Sequence, residues 1–156
     1  MKLETKFFGT QEVDEKEFIS FNHGIPGFEN EHRYFITQYG PESPFMVMQS
    51  VEKPNLAFIL IRLGDVIPGY TIDLGEEITA ELKFEKPEEA FVYAIVSIPG
   101  ELAGATVNLA APLVINIKAK LGKQIILNNP AYGLRHPLFA ENPAGKAESK
   151  PASAAK

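Results

Sequence analysis

Six glutamates fall between positions 76 and 89: Glu76, Glu77, Glu81, Glu85, Glu88 and Glu89. Two carboxylates held at a fixed separation can act as the acid and base of glycoside hydrolysis. A solvated helix face produces the same run of charge, and that is the commoner origin. Three histidines, His23, His32 and His136, could ligate zinc together with a carboxylate. No pair of them is spaced i, i+4, however, and no H-E-x-x-H is present. Ser20, His23 and Asp14 contain the residue types of a nucleophilic triad, but no G-x-S-x-G elbow exposes the serine. The "GIPGF" stretch, with Gly24, Pro26, Gly27 and Phe28, is not a dinucleotide fingerprint, and "LGKQ" lacks the upstream glycine of a phosphate loop. Both read as turn chemistry. In "YGLRHP", Arg135 and His136 can grip a carboxylate or a carbonyl through charge-assisted hydrogen bonds. Alternatively, Arg135 can pin the C-terminal segment to a strand carboxylate.

The elements that must position these residues are short and β-rich. The chain has 156 residues, 45% of them hydrophobic, including eleven Phe and five Tyr. That suits one domain with a substantial core. There is no Cys, which excludes disulfides and thiolate-bound metals. The net charge is −5; Lys146, Lys150 and Lys156 against Glu141 and Glu148 give the tail +1, which leaves the body at −6. An acidic body repels phosphate backbones, so a basic protein partner suits it better than nucleic acid. The N-terminus has no long apolar run, and the longest such run, "LAFILI", is too short to span a bilayer. These features predict a cytoplasmic protein.

"KLETKFF" alternates with period two and reads as a strand. "EFISF", "RYFITQY" and "FMVMQSV" follow as strands separated by turn signals. "LAFILIRL" and "AFVYAIVSI" are apolar on both faces, as central covered strands should be. Ile78 and Leu82 lie four apart and share a helix face, which predicts one short helix over 75–82, with Asp73 and Glu76 as a capping pair. "TVNLAAPLVINIKAKLGKQIILN" reads as a hairpin with Gly122 near its tip. Pro130 and Pro137 argue against regular pairing in "PAYGLRHPLF", which reads as an ordered irregular segment or an edge strand. "GIPGF" reads as a loop of fixed shape whose Ile25 and Phe28 plug onto the core. Residues 141–156 lack aromatic and β-branched side chains and read as a flexible low-complexity tail. The predicted fold is an all-β, antiparallel, barrel-like single domain over 1–140 with one short helix.

Several stretches occur in an order that resembles one family. They are "GIPGFE", "PFMVMQSV", "NLAFILI", "IDLGEEI", "VYAIVSIP" and "NLAAPLVIN…GKQIIL…YGLRHPL". Together they look like the flagellar assembly factor family FliW, over about residues 1–139. The resemblance implies a cytoplasmic, non-enzymatic protein without cofactors. It implies two protein partners, the translational repressor CsrA and flagellin, and no direct contact with nucleic acid or membrane. On that reading Glu76, Glu77, Glu81, Glu85, Arg135 and His136 are the candidate partner-binding residues, and Gly24, Pro26, Gly27 and Phe28 form a structural loop. A small β-barrel hydrolase or ligand-binding barrel is the alternative.

Overall fold

The computed structural model describes residues 1–70, 72, 74–127 and 133–138. The predicted tail over 141–156 lies outside them. A two-stranded ribbon of β1 (Lys2–Thr5) and β2 (Gly9–Glu12) precedes a ring of seven strands. Four of these form an antiparallel meander: β4 (Arg33–Gln38), β5 (Phe45–Ser50), β6 (Ala57–Arg62) and β7 (Ala90–Ser97). The first half of β7 pairs with β9 (Leu113–Asn116), and β9 pairs with β10 (Leu121–Gln124). β10 meets β3 (Ile19–Ser20) in parallel at Leu121 and Ser20, and β3 returns to β4. The predicted antiparallel barrel is therefore closed by one parallel contact. Closure removes the open edges that would otherwise invite aggregation.

β7 divides its pairing. Ala90–Tyr93 face β9, whereas Val96 and Ser97 face β8 (Thr106–Val107), which carries β11 (His136–Pro137) on its outer side. The "TVN…ILN" stretch is thus not a single hairpin. Its first residues leave for β8, and the true turn is Ile117–Lys120, with Lys120 at φ +60°. Gly122, expected near the tip, lies buried within β10. A Cβ there would stand 2.6 Å from the Phe21 ring, so the missing side chain is what lets that ring pack.

The two-faced apolarity of β6 and β7 has a direct cause. Phe58, Leu60, Tyr93 and Ile95 join Phe21, Tyr34, Met48 and Ile115 to fill the barrel. The alternate residues Ile61, Ala94 and Val96 face a second core outside it, with Ala105, Val107 and Leu109. A one-turn helix missed by periodicity, α1 (Leu63–Val66), covers that core with Leu63 and Val66. The predicted helix is present as α2 (Gly75–Glu81). Its N-cap is Leu74; Asp73, expected to pair with Glu76 at this end, lies outside the described residues.

Candidate functional site

α2 rests on the barrel through Ile78 and Leu82, which pack with Phe84 and Val114. Asn116, at the end of β9, fixes the helix end. Its buried Nδ2 donates to the carbonyls of Leu82 (2.8 Å) and Lys83 (3.3 Å), while its Oδ1 accepts from the N–H groups of Lys118 and Ala119. One amide thus joins the helix end to the β9–β10 turn. Lys83, beside this contact, holds φ +61°.

The acidic run separates into two groups. Glu81 is half-buried and engaged: Lys123 Nζ donates to its carboxylate at 2.8 Å, and His23 Nε2 lies 3.0 Å away. The Lys123 hydrogen bond, chiefly, holds the Glu81 carboxyl below the ordinary carboxylate range. Glu89 is engaged too, accepting the backbone N–H of Glu85 at 2.8 Å, and that bond is the main reason its carboxyl is also pulled down. Glu76, Glu77, Glu85 and Glu88 are exposed. Four of the six carboxylates therefore face water, and two brace the helix and its following turn. Beside α2 lies a groove of about 730 Å³. Ile72, Leu74, Phe84, Ala90 and Val92 line it, with Glu76, Glu85 and Lys86 as its charged members.

The "GIPGF" loop abuts this region, since His23 comes from its first turn. Gly24 (φ +66°) and Gly27 (φ +92°) both occupy the left-handed half of backbone space. Ile25 and Phe28 close a tight turn, in which the Phe28 N–H donates to the Ile25 carbonyl at 2.6 Å, with Pro26 and Gly27 at its centre. The expected plug is present: Ile25 is buried in the barrel core, and Phe28, partly exposed, meets Phe58 edge-on at 5.5 Å. Glu29 accepts the Gly27 N–H at 3.1 Å, which lowers the pKa of its carboxyl.

Arg135 and His136 sit elsewhere. His136 is half-buried in β11 opposite Val107, and Arg135 is exposed next to Leu134, itself 66% exposed. Among the described residues no carboxylate forms an ion pair with Arg135. The α2 groove is lined by the first half of β7, whereas β11 lies two strands out from its second half. The structure therefore does not gather all six candidate residues into one place.

Nor does it assemble the catalytic alternatives. Asp14 accepts the Lys16 N–H at 2.9 Å as the cap of a 3₁₀ turn, and His23 turns to Glu81, so the Ser20–His23–Asp14 set is dispersed. Among the described residues no three His, Asp or Glu side chains stand close enough to hold a metal. The barrel interior is packed with side chains, Tyr34, Phe21, Met48 and Leu60 being fully buried. Local patterning missed Asn116, Lys123 and the His23–Glu81 contact, since each depends on pairing between distant segments.

A family model described as FliW protein matches residues 2–138. The flagellar assembly factor FliW of Clostridium novyi is 41% identical over 141 residues, covering 90% of this chain and 99% of the relative. That of Clostridium kluyveri is 39% identical over 139 residues, covering 89% and 96%. That of Anoxybacillus flavithermus is 35% identical over 146 residues, covering 94% and 100%. A crystal structure of the flagellar assembly factor FliW superposes with a TM-score of 0.84 at 38% identity, over 90% of this chain and 99% of that one. Among the described residues no helix is long and apolar enough to cross a membrane.

Proposed function

This chain belongs to the FliW family, and we propose that within flagellar assembly it works as a switch between two protein partners. It binds the translational repressor CsrA and relieves repression; it also binds flagellin, which withdraws it from CsrA. Flagellin translation is thereby coupled to flagellin export. The protein acts in the cytoplasm by binding, not by catalysis.

The observation that carries this reading is the α2 face. Glu76, Glu77 and Glu85 point to water beside an apolar groove, and Lys123, Asn116 and His23 brace the helix behind them. An RNA-binding repressor must present a basic surface to phosphates. An acidic helix with an apolar groove alongside suits the margin of such a surface, since charge steers the encounter and apolar contact holds it. From there the carboxylates repel RNA without occupying its site. Screening confines that repulsion to roughly 8 Å at physiological salt, so the helix must lie close to the RNA path.

The test is charge reversal. Glu76→Lys, Glu77→Lys and Glu85→Lys are exposed changes that leave the fold intact, and CsrA binding and RNA release are measured separately at low and high salt. Weaker RNA release, more pronounced at low salt, supports the reading. Wild-type release and binding in the triple variant would remove the α2 face from the mechanism.

A further inference from the structure

The parallel join of the ring is its shortest. β10 and β3 share one registered pair, Leu121 with Ser20, whereas β10 shares four with β9 and β4 shares five with β5. β3 itself is two residues long. Across the join the Ser20 N–H donates to the Lys120 carbonyl at 2.9 Å. Parallel pairing is also slightly less stable per residue than antiparallel. A join this short opens locally at low cost unless something outside the ladder holds it.

Period-two alternation puts Leu121, Lys123 and Ile125 on one face of the chain. Leu121 and Ile125 pack in the cluster beneath α2. Lys123, between them, therefore emerges under the helix, where its Nζ donates to Glu81 Oε1 at 2.8 Å. On the other strand the chain turns just after β3. The Gly24 N–H donates to the Phe21 carbonyl at 2.8 Å, with Gly24 at φ +66°. His23 sits in that turn, and its Nε2 lies 3.0 Å from Glu81 Oε2. One oxygen of Glu81 thus reaches β10 and the other reaches the segment leaving β3. The Phe21 ring, set against Gly122, packs the barrel side of the same join, and the carboxylate spans its outer side.

We propose that Glu81 is the clasp of this join, so that α2, the "GIPGF" loop and the β3–β10 contact open and close as one unit. A bridge through one carboxylate has a property that two separate ion pairs lack. Cutting either arm disconnects the two strands, so cutting both adds little. The loop carries the link onward, because the Gly24 backbone stands so close to that of Glu29 that a Cβ would come within 2.6 Å of it. A displacement of His23 is therefore passed to the loop as a whole. The clasp also supplies regulation to the α2 face, a consequence that rests on the binding role proposed above. A partner seated on α2 favours the closed join, and by reciprocity a closed join favours the partner.

Amide hydrogen exchange is followed by NMR on the full chain, on His23→Ala, on Lys123→Met, which keeps the aliphatic stem, and on the double variant. His23 is exposed, so its substitution leaves the fold intact. The Ser20 amide reports the join, and the Leu82 amide, which donates to the Ile78 carbonyl, reports the helix end. Each single change should speed exchange at both by roughly 2–5-fold and leave β5 and β6 unmoved. The double variant should exchange no faster at Ser20 than the faster single one. Effects that multiply at Ser20 would overturn the clasp, as would wild-type exchange there in both single variants. CsrA is then added to each chain. Slower Ser20 exchange in the wild-type complex, absent from the double variant, supports the regulatory link. CsrA bound to wild type with Ser20 exchange unchanged would overturn that link. Wild type that fails to bind CsrA would overturn the role given to α2, while exchange without partner still decides the clasp.

Discussion

Replacing Gly24 and Gly27 with alanine, one at a time, separates two costs that the sequence alone presents as one. Both glycines hold positive φ, +66° and +92°. An L side chain in that region costs roughly 1–2 kcal/mol. For Gly27 the cost ends there, since nothing lies within 4 Å of its added Cβ. Gly24 is different. Its Cβ would stand 2.6 Å from Glu29 Cα, 2.7 Å from the Glu29 carbonyl oxygen and 2.8 Å from the carbonyl carbon. These are backbone atoms, which cannot swing aside like the end of a side chain. An insertion clash adds typically about 1–3 kcal/mol, which brings Gly24→Ala to roughly 2–5 kcal/mol in all. For a chain of this size each kcal/mol moves Tm by about 2–4 °C. Gly27→Ala should therefore lower Tm by a few degrees and Gly24→Ala by about 4–20 °C, with matching shifts in the urea midpoint. Gly27→Asn should recover part of the loss, because asparagine tolerates the left-handed region, and Gly24→Asn should not. Gly24→Ala costing no more than Gly27→Ala would refute the argument, since it would mean the loop is not held against the Glu29 backbone.

Gly122→Ala should destabilise the protein by about 1–3 kcal/mol through the clash with the Phe21 ring. Thermal denaturation should show most of that loss relieved when Phe21 is shortened to Leu in the same chain. Asn116→Ala leaves the Leu82 carbonyl and the Lys118 and Ala119 N–H groups without their amide partner. The expected cost is roughly 1–3 kcal/mol, with hydrogen exchange accelerating first in α2 and the Ile117–Lys120 turn. Glu81→Gln should matter at neutral pH and not in acid. The folded-state pKa of Glu81 lies below its unfolded value, so its contribution is present above the ordinary carboxylate pKa and is lost as pH falls through the folded one. Melting curves of wild type and variant should differ at pH 7 and converge only as pH falls through the lowered Glu81 pKa.

The two-faced apolar strands and the α2 helix were legible because burial imposes a period on them. "LAFILIRL" and "AFVYAIVSI" lie between two cores, and Ile78 and Leu82 lie on one face of a helix. The "GIPGF" loop was legible because glycine and proline report backbone geometry directly. β2 was not, since all four of its residues are exposed and carry no alternation. The hairpin turn was misplaced because its left-handed residue is Lys120, while the glycine nearby serves the Phe21 ring and not the turn. The parallel contact of β3 with β10 joins distant segments and leaves no local trace. For the candidate site, the run of carboxylates was visible, but its division was not. Which glutamates brace the helix and which face outward depends on Lys123, His23 and the backbone N–H of Glu85.

One titration follows the proposed switch through a full cycle. Labelled flagellin mRNA leader bound to CsrA is monitored by fluorescence anisotropy while this protein is added, and flagellin is then added to the same mixture. Anisotropy should fall as RNA is released and rise again as flagellin withdraws the protein from CsrA. RNA that stays bound throughout, or release that flagellin does not reverse, would contradict the switch.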